Sequence, residues 1–328
     1  MAPLPLLDFV VCHNYIGLRM PILLLIIGVL AMLNSSSANQ KPDFDSLWNY
    51  DKPAETEAKF RQLLPMAEKS GDPAYLAELK TQIARTLALQ QKFEQAHTLL
   101  DSVSAMLDAA GPQARVRYLL ERGRVFNSSG QKDKAVLLFN EAWEQASKSG
   151  LDFFAVDAAH MLAIATPGEQ HMGWNLKALS LAEKSSQPKA RNWLGSLYNN
   201  IGWDYFSQEK YDSALAMFEK ALTFRQEQKK PDQIRIAKWC VAKTLRLLGR
   251  VDSALTMQKE LEKEWKESGE EQDGYVFEEI AECLLALKKD QEATPYFALA
   301  YQYLSKDPWL SRDEPQRLQR LKELGKVK

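Results

Sequence analysis

The sequence predicts an all-α protein built as a solenoid of helical hairpins, and three observations carry the prediction. A pattern of small and large residues recurs at a fixed period. Within each period the apolar positions fall three and four apart, the spacing of one helix face. Runs that alternate apolar and polar residues between turn signals, as strands do, are essentially absent.

The best-formed copy reads NNIGWDYFSQEKYDSALAMFEKAL, from Asn199 to Leu222. Aligned on Ala214, its counterparts are Ala96, Ala135, Trp174, Ala254 and Ala293, so successive copies lie 39, 39, 40, 40 and 39 residues apart. A period within ~20–50 residues marks a repeat array and not one compact core. Twelve residues before each reference stand Ala84, Gly123, Leu162, Gly202, Ala242 and Ala281, small in five of the six copies. Four residues after it stand Leu100, Phe139, Ala178, Phe218, Gln258 and Phe297. Small residues let two crossing helices approach, and large ones one turn away fill the space beside them.

Taken in chain order, residues 1–38 read as a leader. Pro21 to Leu33 (PILLLIIGVLAML) is an apolar run of 13, preceded by Arg19 and followed by NSSSANQ. That is shorter than the ~20 residues a spanning helix needs, and Ser36 and Ala38 suit a cleavage site after Ala38. The expectation is therefore an exported chain, periplasmic or secreted. The alternatives are an anchor left uncleaved at residues 21–33, or a cytoplasmic chain if translation starts elsewhere. Cys12 precedes the apolar run and so cannot be a lipoprotein cysteine directly after it. Residues 39–71 form a partial leading unit, and 72–306 hold six repeats separated by breakers such as KSGD (69–72), KSG (148–150) and KKPD (229–232). Residues 307–328 read as a terminal helix that covers the last repeat, with Pro315 in its first turn and Leu318, Leu321 and Leu324 on one stripe.

The order Tyr198, Ile201, Gly202, Tyr205, Tyr211, Ala214, Phe218, Ala221 resembles the tetratricopeptide repeat, and so do Leu119, Gly123, Phe126, Gly130, Ala135, Phe139 and Ala142. A third match runs through Phe277, Ile280, Ala281, Ala293, Phe297 and Ala300. The resemblance implies a right-handed superhelix of helix–turn–helix units, each longer here than the 34-residue family repeat. It also implies that the first helix of each unit, helix A, lines the concave groove and the second, helix B, the convex back. The unit over 155–185 departs from the pattern, because Leu162 and Trp174 replace small residues and Thr166-Pro167-Gly168 interrupts it. Looser helix packing is expected there.

By the same resemblance, certain positions of helix A face the groove. They bring together Asn199, Trp203, Trp239, Lys243 and Arg246, with Arg85, Arg117 and Arg124 as an extension toward the amino-terminal units. Tryptophan and arginine often dominate interfaces, and cations beside an open groove suit a peptide carboxylate. Glu278, Glu279 and Glu282 make the far end acidic. The expected function is non-enzymatic: binding an extended peptide or protein segment in the groove. Rival readings are a scaffold working through its convex face or ends, and an enzyme with a groove-lining active site.

Composition gives no support to other classes. Net charge is −1 with 26% charged residues, so nothing global points to nucleic acid. GxGxxG after a strand, GxxxxGK[ST], GxSxG and HExxH are all missing, and no cofactor or metal is expected. The four histidines pair with no nucleophile or metal-site spacing. Without the leader, Cys240 and Cys283 are two thiols and no disulfide framework. Asn127-Ser128-Ser129 is a glycosylation sequon at an expected turn within a repeat.

Overall fold

A computed structural model describes residues 41–328, and every regular element among them is helical. The apolar run 21–33, the expected cleavage after Ala38 and Cys12 lie outside the described residues. No helix among those described is long and apolar enough to cross a membrane. The chain divides into two compact units at the Asn192–Trp193 junction.

The first unit opens with a 3-10 turn (Phe44–Leu47) and continues as α1 (Pro53–Lys69), α2 (Pro73–Leu89), α3 (Phe93–Ser104), α4 (Leu107–Ser128), α5 (Lys132–Lys148), α6 (Asp152–Ala165), α7 (Glu169–Lys184) and α8 (Pro188–Arg191). The second holds α9 (Leu194–Ser207), α10 (Tyr211–Glu227), α11 (Pro231–Leu247), α12 (Val251–Ser268), α13 (Gly274–Ala286), α14 (Asp290–Leu304), α15 (Pro308–Asp313) and α16 (Pro315–Leu324). Consecutive helices pair as hairpins: α2/α3, α4/α5 and α6/α7 in one unit, α9/α10, α11/α12 and α13/α14 in the other. This is the architecture of an α-solenoid.

One turn joins most hairpins. Gln91, Gly130, Glu209, Gly249 and Lys288 occupy equivalent positions and all have φ between 58° and 81°. In each case the next residue's N–H reaches back to the carbonyl five residues earlier: Lys92 to Leu87, Gln131 to Phe126, Lys210 to Tyr205, Arg250 to Leu245 and Lys289 to Leu284, at 2.8–3.0 Å. This is the Schellman closure, which satisfies the last carbonyls of a helix and reverses the chain. Three of the five positions carry a side chain where glycine is least strained.

Between paired helices the small-and-large pattern sets the distance of approach. A Cβ placed on Gly202 would lie 2.5 Å from Cε1 of Phe218, and one on Gly123 would lie 2.5 Å from Cε1 of Phe139. Both phenylalanines are fully buried. The expected loosening in α6/α7 does not occur at this crossing. Leu162 is large, but its counterpart Ala178 is small, and both are fully buried. The volume has changed sides, so the helices still close. Trp174 packs edge-on against Trp143 of α5, with centroids 5.7 Å apart.

Residues 307–328, read as a single terminal helix, form two short ones, α15 and α16. Pro315 begins the second and Asp307 caps the first by accepting from the N–H of Trp309 at 2.8 Å. Leu318 and Leu321 are buried in one cluster with Ile280 and Phe297, so the apolar end of α13/α14 is covered.

Candidate functional site

In the second unit the first helices of the hairpins, α9, α11 and α13, carry one line of rings. Trp203 and Trp239 have centroids 6.0 Å apart, and Trp239 and Tyr275 lie 6.1 Å apart. All three rings are half-buried. Phe206 extends the line one turn along α9, edge-on to Trp203 at 4.8 Å. The indole N–H of Trp239 donates to the carbonyl of Tyr275 at 3.2 Å, which orients the ring and ties α11 to α13. Trp203 also rests against Phe218, at 5.2 Å. Asn199 is half-buried beside this line and accepts from the Cys240 thiol at 3.7 Å.

The cations expected to greet a ligand carboxylate already hold one. Lys243 donates to Glu279 Oε1 at 2.6 Å, and Arg246 grips the same carboxylate through Nε (2.8 Å) and Nη2 (3.2 Å). Glu279 is 1% exposed. Burial by itself would raise its pKa, but the charge of Lys243 and the hydrogen bond from Arg246 prevail and hold it down at about 2. Lys243 also lies 4.9 Å above the Trp239 ring. Toward the end of the unit, Arg317 donates to Glu278 at 2.9 Å and Arg320 pairs with Glu282.

The first unit repeats the arrangement. Arg117 pairs with Glu78 at 3.1 Å and lies 5.0 Å from the Phe154 ring. Arg85 pairs with Glu121 at 3.5 Å, Arg124 donates to Glu121 at 2.7 Å, and Arg124 also binds Asp157. Burial opposes the charge on Asp157, yet Arg124 and Arg85 keep its carboxyl below the ordinary range. Burial likewise works against Arg124, but Asp157 and Glu121 keep its guanidinium raised.

The partners in both units follow common sequence spacings. Arg124 to Asp157 and Arg246 to Glu279 are both 33 apart. Arg85 to Glu121 and Lys243 to Glu279 are both 36 apart, and Glu78 to Arg117 and Glu278 to Arg317 are both 39 apart. Each spacing is one repeat, less zero, one or two turns of about three residues. An ion pair at that spacing ties a first helix to the first helix of the next hairpin or, for Glu278 and Arg317, to α16. These cations stitch neighbouring repeats, and the charge on this face is locally balanced.

Trp203, Trp239 and Tyr275 also stand 36 apart, three or four residues short of one repeat, so each ring sits about one turn earlier in its repeat than the one before. Tyr275 and Phe206 were not among the residues expected from the sequence. The shared spacing from Trp203 to Trp239 was the signal that leads to Tyr275. The arrangement offers a stepped apolar ring surface bordered by an amide and by satisfied charges. Among the described residues no group of three or more His, Cys, Asp or Glu is placed to hold a metal ion. Cys283 is fully buried, and burial pushes its thiol up to about 12.

Comparison with known proteins gives the same fold. The family model described as tetratricopeptide repeat matches residues 194–227. No curated protein sequence matches the chain. Among solved structures, a signal transduction ATPase with numerous domains from Pyrococcus horikoshii, with a tetratricopeptide repeat sensor, aligns with a TM-score of 0.63 at 15% identity, over 84% of this chain and 44% of that one. BtubC (BKLC) from P. vanneervenii aligns at 0.53 and 17% identity, over 71% and 95%. Aspartyl phosphate phosphatase F from Bacillus subtilis aligns at 0.50 and 13%, over 85% and 83%. At these identities the likeness speaks for the fold alone. Residues 194–227 match a tetratricopeptide repeat, and the repeat pattern and recurrent hairpin closure make the rest of the array similar to it in fold.

Proposed function

We propose that this chain is a non-enzymatic protein-interaction module, and that α9, α11 and α13 of the second unit hold an extended segment of a protein partner. The observation that carries the reading is the line of Trp203, Trp239 and Tyr275. Its centroid steps of 6.0 and 6.1 Å are close to the advance of two residues in an extended chain, about 6.6 Å. Alternate side chains of such a segment can each meet one ring. Large, rigid aromatic groups lose little entropy on contact and are the usual anchors of interfaces. Asn199 supplies an amide for the partner's main chain. Lys243 and Arg246 hold Trp239 and Glu279 in place, and act as supports more than as receivers of a free carboxylate.

The test begins with twelve-residue peptides selected from a random library on the chain from Asn39 onward. Their affinities are then compared for the wild type and the folded Trp203→Ala/Trp239→Ala variant. Loss of ~2 kcal/mol or more, roughly 30-fold, is expected for hot-spot anchors. Selected peptides that bind both proteins equally would place the interaction elsewhere.

A further inference from the structure

The first unit carries a segment that belongs to no hairpin. Residues 41–50, KPDFDSLWNY, precede α1, and the 3-10 turn is their only regular element. Their main chain bonds locally, as in Ser46 N–H to Asp43 O at 3.2 Å, or to the adjoining start of α1, as in Asn49 N–H to Thr56 Oγ1 at 3.1 Å. Side chains make the longer contacts. Phe44 stacks on Tyr75 of α2 at 5.0 Å and meets Phe60 of α1 edge-on at 6.0 Å. Trp48 donates its indole N–H to Gln82 at 2.8 Å and lies 5.4 Å from the Arg85 guanidinium. Tyr50 stacks on Trp48 at 4.6 Å and meets the same guanidinium at 5.2 Å. Lys41 pairs with Asp72. Lys189 of α8 donates to Asp45 at 2.7 Å and to Asp43 at 3.2 Å, across 144 and 146 residues.

One decapeptide therefore touches α1, α2 and α8, the first two helices and the last of its unit. We propose that α1, α2 and α8 form a binding site for a short acidic–aromatic peptide, and that residues 41–50 are its resident, displaceable occupant. Lys189 reads the acidic residues, the Tyr75 and Phe60 rings read the phenylalanine, and Gln82 with Arg85 reads the tryptophan. This site belongs to the first unit and the aromatic line to the second.

Displacement is feasible for physical reasons. No helix main chain beyond the start of α1 depends on the segment, so its departure leaves the hairpin ladders intact. Of its ten residues only Phe44 is buried. Its far anchor is exposed, with side chains of Lys189, Asp43 and Asp45 that are 54%, 57% and 39% accessible. What favours the resident is its tether, which gives it an effective concentration on the order of millimolar. A competing segment of like chemistry gains access once the Lys189 anchor is weakened.

The test uses the full chain and a fluorescein-labelled KPDFDSLWNY peptide, read by anisotropy, with hydrogen exchange of residues 41–50 as a second measurement. The Asp43→Lys/Asp45→Lys variant changes only exposed groups. It is expected to lose exchange protection over 41–50 and to bind the peptide roughly tenfold or more tightly than the wild type, whose site is filled. Adding Lys189→Glu reverses the pairs within the chain, and should restore protection and return peptide binding to the wild-type level. Unchanged exchange in the Asp43→Lys/Asp45→Lys variant, or equal peptide binding by all three proteins, would overturn the proposal.

Discussion

Replacing Glu279 by glutamine is expected to destabilise the protein by about 3 kcal/mol at pH 7, and to do so less as the solution is acidified. The carboxyl is held at about 2 against its ordinary 4.5, and each unit of pKa corresponds to ~1.36 kcal/mol. Solvent screens this interaction little, because the side chains of Lys243 and Arg246 are only 19% and 17% exposed. Glutamine keeps the shape and leaves both cations facing a neutral amide, the situation in which a broken buried pair costs most. The sign follows from linkage. A carboxyl depressed on folding contributes its full stability above 4.5, and loses it as the pH falls from 4.5 toward 2. Urea unfolding followed by circular dichroism at several pH values between 7 and 3 measures the gap between wild type and variant. The gap should narrow steadily below pH 4.5. A gap under ~0.5 kcal/mol at pH 7, the size of an ordinary surface change, would refute the reasoning. So would a full gap that stays constant down to pH 3.

Four further outcomes follow from the same packing. Gln258 stands where three of the other five repeats have a phenylalanine, is fully buried, and has neither amide atom partnered; Gln258→Leu should raise stability by ~1–3 kcal/mol in urea unfolding. Glu209 and Lys288 hold left-handed turns at φ 58° and 59°, so glycine at either position should stabilise by about 1 kcal/mol in thermal melts. Gly202→Ala must push Phe218 aside and should cost roughly 1–3 kcal/mol, measurable as a lowered melting temperature. Burial pushes the Asp273 carboxyl up to about 6, despite its cap bond from Tyr275 N–H, so ionising it costs stability that is lost progressively from pH 3.8 to 6 and fully above. Asp273→Asn keeps a capping oxygen and should stabilise by ~1–3 kcal/mol at pH 8, with the advantage gone by pH 4 in a pH series of melts.

The hairpins were legible because their determinants are local. Gly202 and Phe218 are sixteen residues apart, and helical geometry alone brings them to one crossing. The same reasoning failed at α6/α7, where Leu162 was weighed without the compensating Ala178, although both lie in the sequence pattern. The candidate face was legible in its residues and misleading in its charge. Lys243, Arg246, Arg85, Arg117 and Arg124 were visible one helix at a time. Their partners, Glu279, Glu121, Glu78 and Asp157, stand one repeat away, and which turn meets which depends on how the helices slide past each other. Spacings of 33, 36 and 39 between opposite charges encode that register, and they mean something only once the stacking is known. Residues 41–50 escaped because side-chain contacts spanning 144 residues have no local signature.

In the proposed function, the first helices of the hairpins are the recognition face of the second unit. Hydrogen exchange on the full chain, with and without a saturating library-selected peptide, tests it most directly. Added protection in α9, α11 and α13, centred on the turns bearing Trp203, Trp239 and Tyr275, is the predicted result. Protection confined to α10, α12 and α14 would contradict it.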